Sequence, residues 1–214
     1  MFETDRDRLR PARLLQAEHD SLLPILSNTR ADAFDRPTAC PGWSVRDVLA
    51  HCAAALSRVT EGTVHAFTPE LNEIDVTERR RWALADILSE LARGYQEAGS
   101  GIAKAGGKLD VLALGEWMHG GDVRAALGEQ LAYESAGFDD ACVLLSDWTR
   151  RRAIPLVEVR LDDATLTIGA PRAGRATATL RTGRSTLMKL VAGRQTDPAD
   201  YQLTGARASE LIVF

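Results

Sequence analysis

The stretch CPGWSVRDVLAHC, from Cys40 to Cys52, decides how this chain is read, and GEWMHGGDVRAALG, from Gly115 to Gly128, is its counterpart. In the first, Pro41-Gly42 closes a connector. Ser44 reads as a helix N-cap, with Asp47 three residues on as a short-acid version of the capping box. From there Val45, Val48, Leu49, Cys52, Leu56 and Val59 recur at helical spacing, and the helix runs to about Thr60. His51 falls just off the edge of that apolar stripe, one turn after Asp47. That position looks into a crevice between helices while remaining within reach of solvent. Asp47 is placed to fix the tautomer of His51, as carboxylates commonly do for ligand histidines.

In the second stretch Val111, Leu114, Met118 and Ala125 form the stripe expected to be buried. Asp122 falls in its middle and His119 on its flank, with Gly115 one turn below. A carboxylate among apolar residues is costly unless paired or metal-bound, so Asp122 should have a partner. Glu116 projects farther out, but its i,i+3 spacing to His119 permits both to reach one ion, as in bundle carboxylate sites. Two helix-borne histidines with acids nearby are the raw material of a metal site. Each alone also reads as a structural histidine on a helix edge, and Asp122 as a partner for the start of a neighbouring helix. His19 and His65 are isolated and read as surface residues, and Trp43 and Trp117 as core or pocket wall.

Working outward, a first helix runs from about Asp5 to Leu26 on Leu9, Leu14, Leu15, Leu22, Leu23 and Leu26, with Pro11 and Pro24 free to kink or shorten it. Thr77 opens a third helix ending near Ala98, and Gly99-Ser100-Gly101 with Gly106-Gly107 reads as a turn. A fourth helix spans Leu109 to Leu127 and stops at Gly128. A fifth covers Asp139 to Arg151, with Val143, Leu144 and Trp148 facing inward. Four long antiparallel helices plus an extra one describe a bundle. Past Pro155 the pattern changes. VEVRL, ATLTIG and ATATLR are short, β-branched and alternating, so they read as strands, followed by a helix from Ser185 to Ala192 and an apolar closing segment, ASELIVF. The expected organisation is therefore mainly α: a helical bundle over residues 1–152 and a small α+β domain over 153–214, the latter too small to stand without the bundle.

Bulk properties narrow the function. The chain has 214 residues, 45% of them hydrophobic, ample for a packed core. Its 26 basic and 30 acidic residues leave a formal charge of -4, too mild and too evenly spread for a nucleic-acid groove or a polybasic membrane patch. There is no run of eighteen or more apolar residues, and the charged N-terminus is unlike a secretory signal, so a cytoplasmic location is expected. Cys40, Cys52 and Cys142 lack CxxC spacing and read as reduced, buried thiols. No GxSxG elbow, Walker loop or dinucleotide fingerprint occurs, which leaves metal-assisted or purely positional catalysis.

Three segments carry a family resemblance: TACPGWSVRDVLAHCAAAL (Thr38–Leu56), MHGGDVRAALG (Met118–Gly128) and the tail from Thr179 to Phe214. Together they resemble the mycothiol-dependent maleylpyruvate isomerase family, within the wider DinB-like superfamily of metal-binding bundles, and the tail is similar to that family's sterol-carrier-protein-like C-terminal domain. The resemblance implies a DinB-like four-helix bundle that binds a divalent metal, usually zinc, through three side chains. One is the histidine ending W-x-x-x-D-x-x-x-H, which falls on His51, and another that of H-x-x-D, which falls on His119. The third, four residues before the last histidine, falls on Gly115, which has no side chain, with Glu116 displaced by one.

On this reading His51, His119 and Glu116 are the metal ligands, with Asp122 or solvent as the other ways to complete the shell; Asp47 and Asp122 orient the histidines, and no catalytic residue is assigned. The implied chemistry is metal activation of mycothiol or a similar thiol for isomerisation or S-transfer on a small electrophile. Expected partners are the thiol and a small-molecule substrate, with a homodimer as an option for assembly and with no nucleic acid or membrane. The competing readings are a non-catalytic ligand-binding or interaction module with an incomplete metal site, and a helical regulator sensing a metabolite in its pocket.

Overall fold

The structure, a computed structural model, describes residues 6–64 and 68–214; His65 lies outside the described residues. Among them are seven α-helices and four strands. The helices are α1 (Arg10–Ser27), α2 (Val45–Glu61), α3 (Pro69–Arg79), α4 (Leu84–Lys104), α5 (Asp110–Leu127), α6 (Phe138–Thr149) and α7 (Arg184–Val191). The strands are β1 (Val157–Arg160), β2 (Thr165–Ile168), β3 (Ala178–Thr182) and β4 (Tyr201–Thr204).

The bundle is built from α1, α2, α4 and α5, with α3 beside α2 and α6 beside α5. Ser44 caps α2 as expected: its hydroxyl accepts from the Asp47 N–H, the Asp47 carboxylate accepts from the Ser44 N–H, and Gly62 ends the helix at φ +70°. All six residues of its apolar stripe are buried.

Two expectations for the middle of the chain fail. The helix expected from Thr77 to Ala98 is two helices, because α3 ends at Arg79 and the chain turns at residues 80–83 before α4. Gly99 and Gly101, read as a turn, lie inside α4. A Cβ on Gly99 would meet Ala12 Cβ at 2.7 Å, one on Gly101 would meet Val59 Cγ1 at 2.8 Å, and one on Gly94 would meet Leu56 Cβ at 2.6 Å. These glycines let α4 approach α1 and α2 closely, so interhelical contact outweighs their poor helix propensity.

α5 is buried on nearly every face rather than along one stripe. Leu112, Ala113, Leu114, Trp117, Met118 and Val123 are buried, Val111 is only half-buried, and Ala125 is exposed. A helix enclosed on all sides hides polar residues along with apolar ones, which is why Glu116 is interior too, at 2% exposure. In α6, Leu144 is buried as expected, but Val143 is 38% exposed and Trp148 half-buried, its ring stacked under the Arg152 guanidinium.

Past α6 the strands form one sheet in the order β2-β1-β3-β4, antiparallel except for the central β1–β3 pair. Val157 and Val159 on β1, with Ala178 and Leu180 on β3, turn one face inward, and α7 adds Leu187, Met188 and Val191. The fourth strand was not expected, because Tyr201–Thr204 shows only half-buried alternation at the sheet edge. One continuous apolar core runs from Leu14 and Leu56 in the bundle to Val157, Leu180 and Leu211 around the sheet.

Candidate metal centre

His51 of α2 and His119 of α5 meet where these helices face one another, with ring centroids 5.1 Å apart and planes nearly perpendicular. Trp43, in the loop before α2, has its ring centroid 5.1 Å from that of His51 and donates its indole N–H to Glu73 of α3. His51 is 8% exposed, and its Nδ1 is buried with no hydrogen-bond partner. Burial, with His119 adding a like charge, pulls its pKa down to about 3, so its imidazole is neutral and unprotonated on one nitrogen at neutral pH.

His119 is held by Asp122, whose Oδ2 lies 3.2 Å from its Nδ1. Asp122 is 1% exposed and has the partners its position demands. Tyr133 donates to Oδ1 at 2.6 Å, and Arg194 grips both oxygens, Nε to Oδ1 at 2.9 Å and Nη2 to Oδ2 at 2.7 Å. Burial alone would raise the Asp122 pKa, but the contacts with His119 and Arg194 outweigh it and hold the carboxyl well below the usual range. Arg194 follows α7, so a side chain from the C-terminal region completes a site on the bundle. Sequence spacing carried no sign of Arg194 or Tyr133, because nothing local links residues 122 and 194; the buried charge on Asp122 announced only that a partner must exist.

The structure brings His51, His119 and Asp122 together but not Asp47 or Glu116. The Asp47 carboxylate accepts from Ser44 and from Arg80 Nε at 2.9 Å, away from the partnerless His51 Nδ1. Glu116 lies in the bundle interior near Cys52, with Glu18 adding like charge, and its Oε2 has no hydrogen-bond partner. Burial drives its carboxyl far above the usual range, so it is a neutral acid. At Gly115 there is room: an added Cβ would meet only Phe214 Cε1, at 3.9 Å. Cys40, read as a buried small hydrophobe, does face the site, its Sγ 3.6 Å from His119 Nδ1 and 3.1 Å from Asp122 Oδ2.

The chain is a helical bundle joined to a small four-stranded sheet, with two histidines meeting across neighbouring helices and a C-terminal arginine on the carboxylate that holds one of them. The family model described as the mycothiol maleylpyruvate isomerase N-terminal domain matches residues 15–136, and the chain belongs to that family. Two solved structures share its fold: a mycothiol-dependent maleylpyruvate isomerase (TM-score 0.55, 16% identity) and a histidine-to-alanine mutant of such an enzyme (TM-score 0.56, 15% identity). Each alignment covers 94% of this chain and 93% of the other. A comparison with curated proteins found no match.

Proposed function

We propose that this protein is a low-molecular-weight-thiol-dependent isomerase or S-transferase, with mycothiol or a close analogue as cosubstrate and a small electrophile as substrate. The reading places a divalent metal ion, zinc being the natural candidate, at His51 and His119. The observation that carries it is the partnerless Nδ1 of a neutral, buried His51 beside a second imidazole oriented by a carboxylate. An unsatisfied buried nitrogen is costly unless something binds it, and a carboxylate behind a histidine is the usual support of a metal ligand. Family membership and the fold shared with mycothiol-dependent maleylpyruvate isomerases support the choice of thiol chemistry.

The ion, when bound, supplies the positive charge that favours the thiolate form of the cosubstrate near neutral pH. The chain's own residues do the rest. His51 stays neutral and available, Asp122 holds the His119 ring, and Tyr133 and Arg194 hold Asp122 in turn. Trp43 walls the crevice beside His51. No helix among the described residues is long and apolar enough to cross a membrane, and we place the reaction in the cytoplasm, where thiols stay reduced.

Elemental analysis of the protein purified without added metal tests the reading. We expect about one equivalent of a divalent ion per chain, its loss in His51→Ala and His119→Ala, and thiol consumption with electrophiles by the loaded protein only. Gly115→Glu, for which the structure has room, should tighten metal binding. An ion-free protein whose folding and thiol reactivity are unchanged in both histidine variants would instead establish a non-catalytic binding module, the reading that the missing side chain at Gly115 favours.

A further inference from the structure

Cys40 is presented to the site by a self-supporting loop. Thr38 N–H and Oγ1 both donate to the Trp43 carbonyl, Cys40 N–H donates to Thr38 Oγ1, and Gly42 takes the left-handed turn at φ +79°. The thiol is therefore fixed before α2 begins. Around it, three donor atoms of different chemistry converge. The Cys40 Sγ–His119 Nδ1 distance is 3.6 Å, Cys40 Sγ–Asp122 Oδ2 is 3.1 Å, and His119 Nδ1–Asp122 Oδ2 is 3.2 Å. A tetrahedral zinc ion, with bonds of about 2.3 Å to sulfur and about 2.0–2.2 Å to nitrogen or oxygen, separates its ligands by about 3.3–3.6 Å. These donors thus stand close to the edges of a zinc tetrahedron, and they are the one such group of three among the described residues.

A cation already lies against this face. Arg194 Nη2 is 2.7 Å from Asp122 Oδ2 and 3.2 Å from Cys40 Sγ, so it touches two of the three donors. A metal bonded to the same atoms would compete with that nitrogen for their lone pairs, with like charges opposed, so binding of the ion disfavours the arginine where it lies. The arginine would have to leave by rotation of its side chain. Its backbone is tied off at the end of α7, where Gly193 has φ +65° and the Arg194 N–H donates to the Lys189 carbonyl. Tyr133 would remain on Asp122 Oδ1, holding the carboxylate in place while Oδ2 turns to the metal.

We infer that Cys40, His119 and Asp122 form a divalent-metal site for which the Arg194 guanidinium is the competing occupant. The inference rests on the reading that this crevice takes a metal ion; it sets the ion on His119 Nδ1, so that Asp122 Oδ2 ligates the ion instead of holding the ring through that nitrogen, and Cys40 gives it the protein donor that Gly115 does not supply. On binding, Cys40 releases its thiol proton to solvent, the sulfur–metal bond forms, the Arg194–Asp122 pair opens and the guanidinium turns to water; no electron is transferred. Metal loading and the seating of the C-terminal region on the bundle are thereby coupled.

Cobalt(II) titration of the full chelator-treated chain tests this, since cobalt–thiolate bonds give an intense near-ultraviolet charge-transfer band that histidine and carboxylate ligands lack. The band is expected in the wild type and in Cys52→Ala and Cys142→Ala. Cys40→Ser and Cys40→Ala should lose the band and weaken cobalt binding by about tenfold or more, with circular dichroism confirming that at least one of them folds. Arg194→Gln should keep the band and tighten binding by about tenfold, while Arg194→Lys, which retains the charge, should not. Cobalt bound without the band, or unaffected by Cys40 replacement, overturns this inference and leaves a histidine-held metal standing. Equal affinity in Arg194→Gln and wild type overturns the competition. No cobalt binding by either protein overturns both this inference and the metal-dependent function.

Discussion

His51 and Glu18 show how burial sets the charge state of single residues in this molecule. His51 is kept neutral by desolvation at the edge of the crevice. Glu18, fully buried on α1, faces Arg124, which donates to its Oε1 at 3.1 Å and to Ser21 Oγ at 2.7 Å. Desolvation nevertheless outweighs that attraction and pushes the Glu18 carboxyl up to about 7 from its ordinary 4.5. Because the folded state favours the protonated form, the stability linked to Glu18 is whole below about pH 4.5 and is lost as pH rises through 7. Urea denaturation between pH 5 and 8 should therefore show stability falling by at most about 1.4 kcal/mol per pH unit from this group. In Glu18→Gln, which cannot ionise, that slope should flatten; an unchanged slope would show that Glu18 does not carry it. His119, Asp122 and the need for a partner on Asp122 were legible as residues because a polar group on an apolar face is a local signal. The partners were not, because Tyr133 and Arg194 reach Asp122 only through the fold.

Among the elements, α2 was the most legible: its Ser44–Asp47 cap and period-3.6 stripe are local features that tertiary packing did not override. α4 and α5 were the least, for one reason. Each is packed on several sides, so its small residues answer to neighbours rather than to solvent. Gly115 of α5 is an exception with open space beside it, which makes it opposite in sign to Gly94 of α4. Gly94→Ala puts a Cβ 2.6 Å from Leu56 Cβ at the α2–α4 contact, and such overpacking costs about 1–3 kcal/mol against about 1 kcal/mol gained in helix propensity. Gly115→Ala meets nothing closer than 3.9 Å and should stabilise α5 by up to about 1 kcal/mol. Thermal denaturation of the two variants should move the melting temperature in opposite directions; a shared direction would mean the interhelical contact at Gly94 yields freely. The same space at Gly115 leaves the position expected to hold a third ligand open to a donor and without one.

Across the whole molecule the apolar core is continuous from bundle to sheet, and polar ties cross the same junction: Gly169 N–H donates to Thr149 Oγ1 at 2.9 Å, and Arg194 reaches Asp122. We propose residues 152/153 as the boundary between two units that do not unfold separately. The basis is that about sixty residues with four short strands form a marginal core, and that their apolar residues here belong to the core shared with the bundle. The fragment 153–214 should lack a folded circular dichroism spectrum and amide dispersion, and the full chain should unfold in one calorimetric transition. A folded fragment would refute this.

Local patterning by itself determined the class of this protein, because caps, helical periodicity and β-branched alternation are properties of neighbouring residues: a bundle, then a small α+β region, with His51 and His119 on separate helices. Only the tertiary structure decided what surrounds those histidines. It sent Glu116 into the interior, gave Asp47 to Arg80, and brought Cys40, Tyr133 and Arg194 to Asp122. Those placements follow from which faces of α5 are enclosed and where the chain returns after α7, and no spacing along a sequence encodes either.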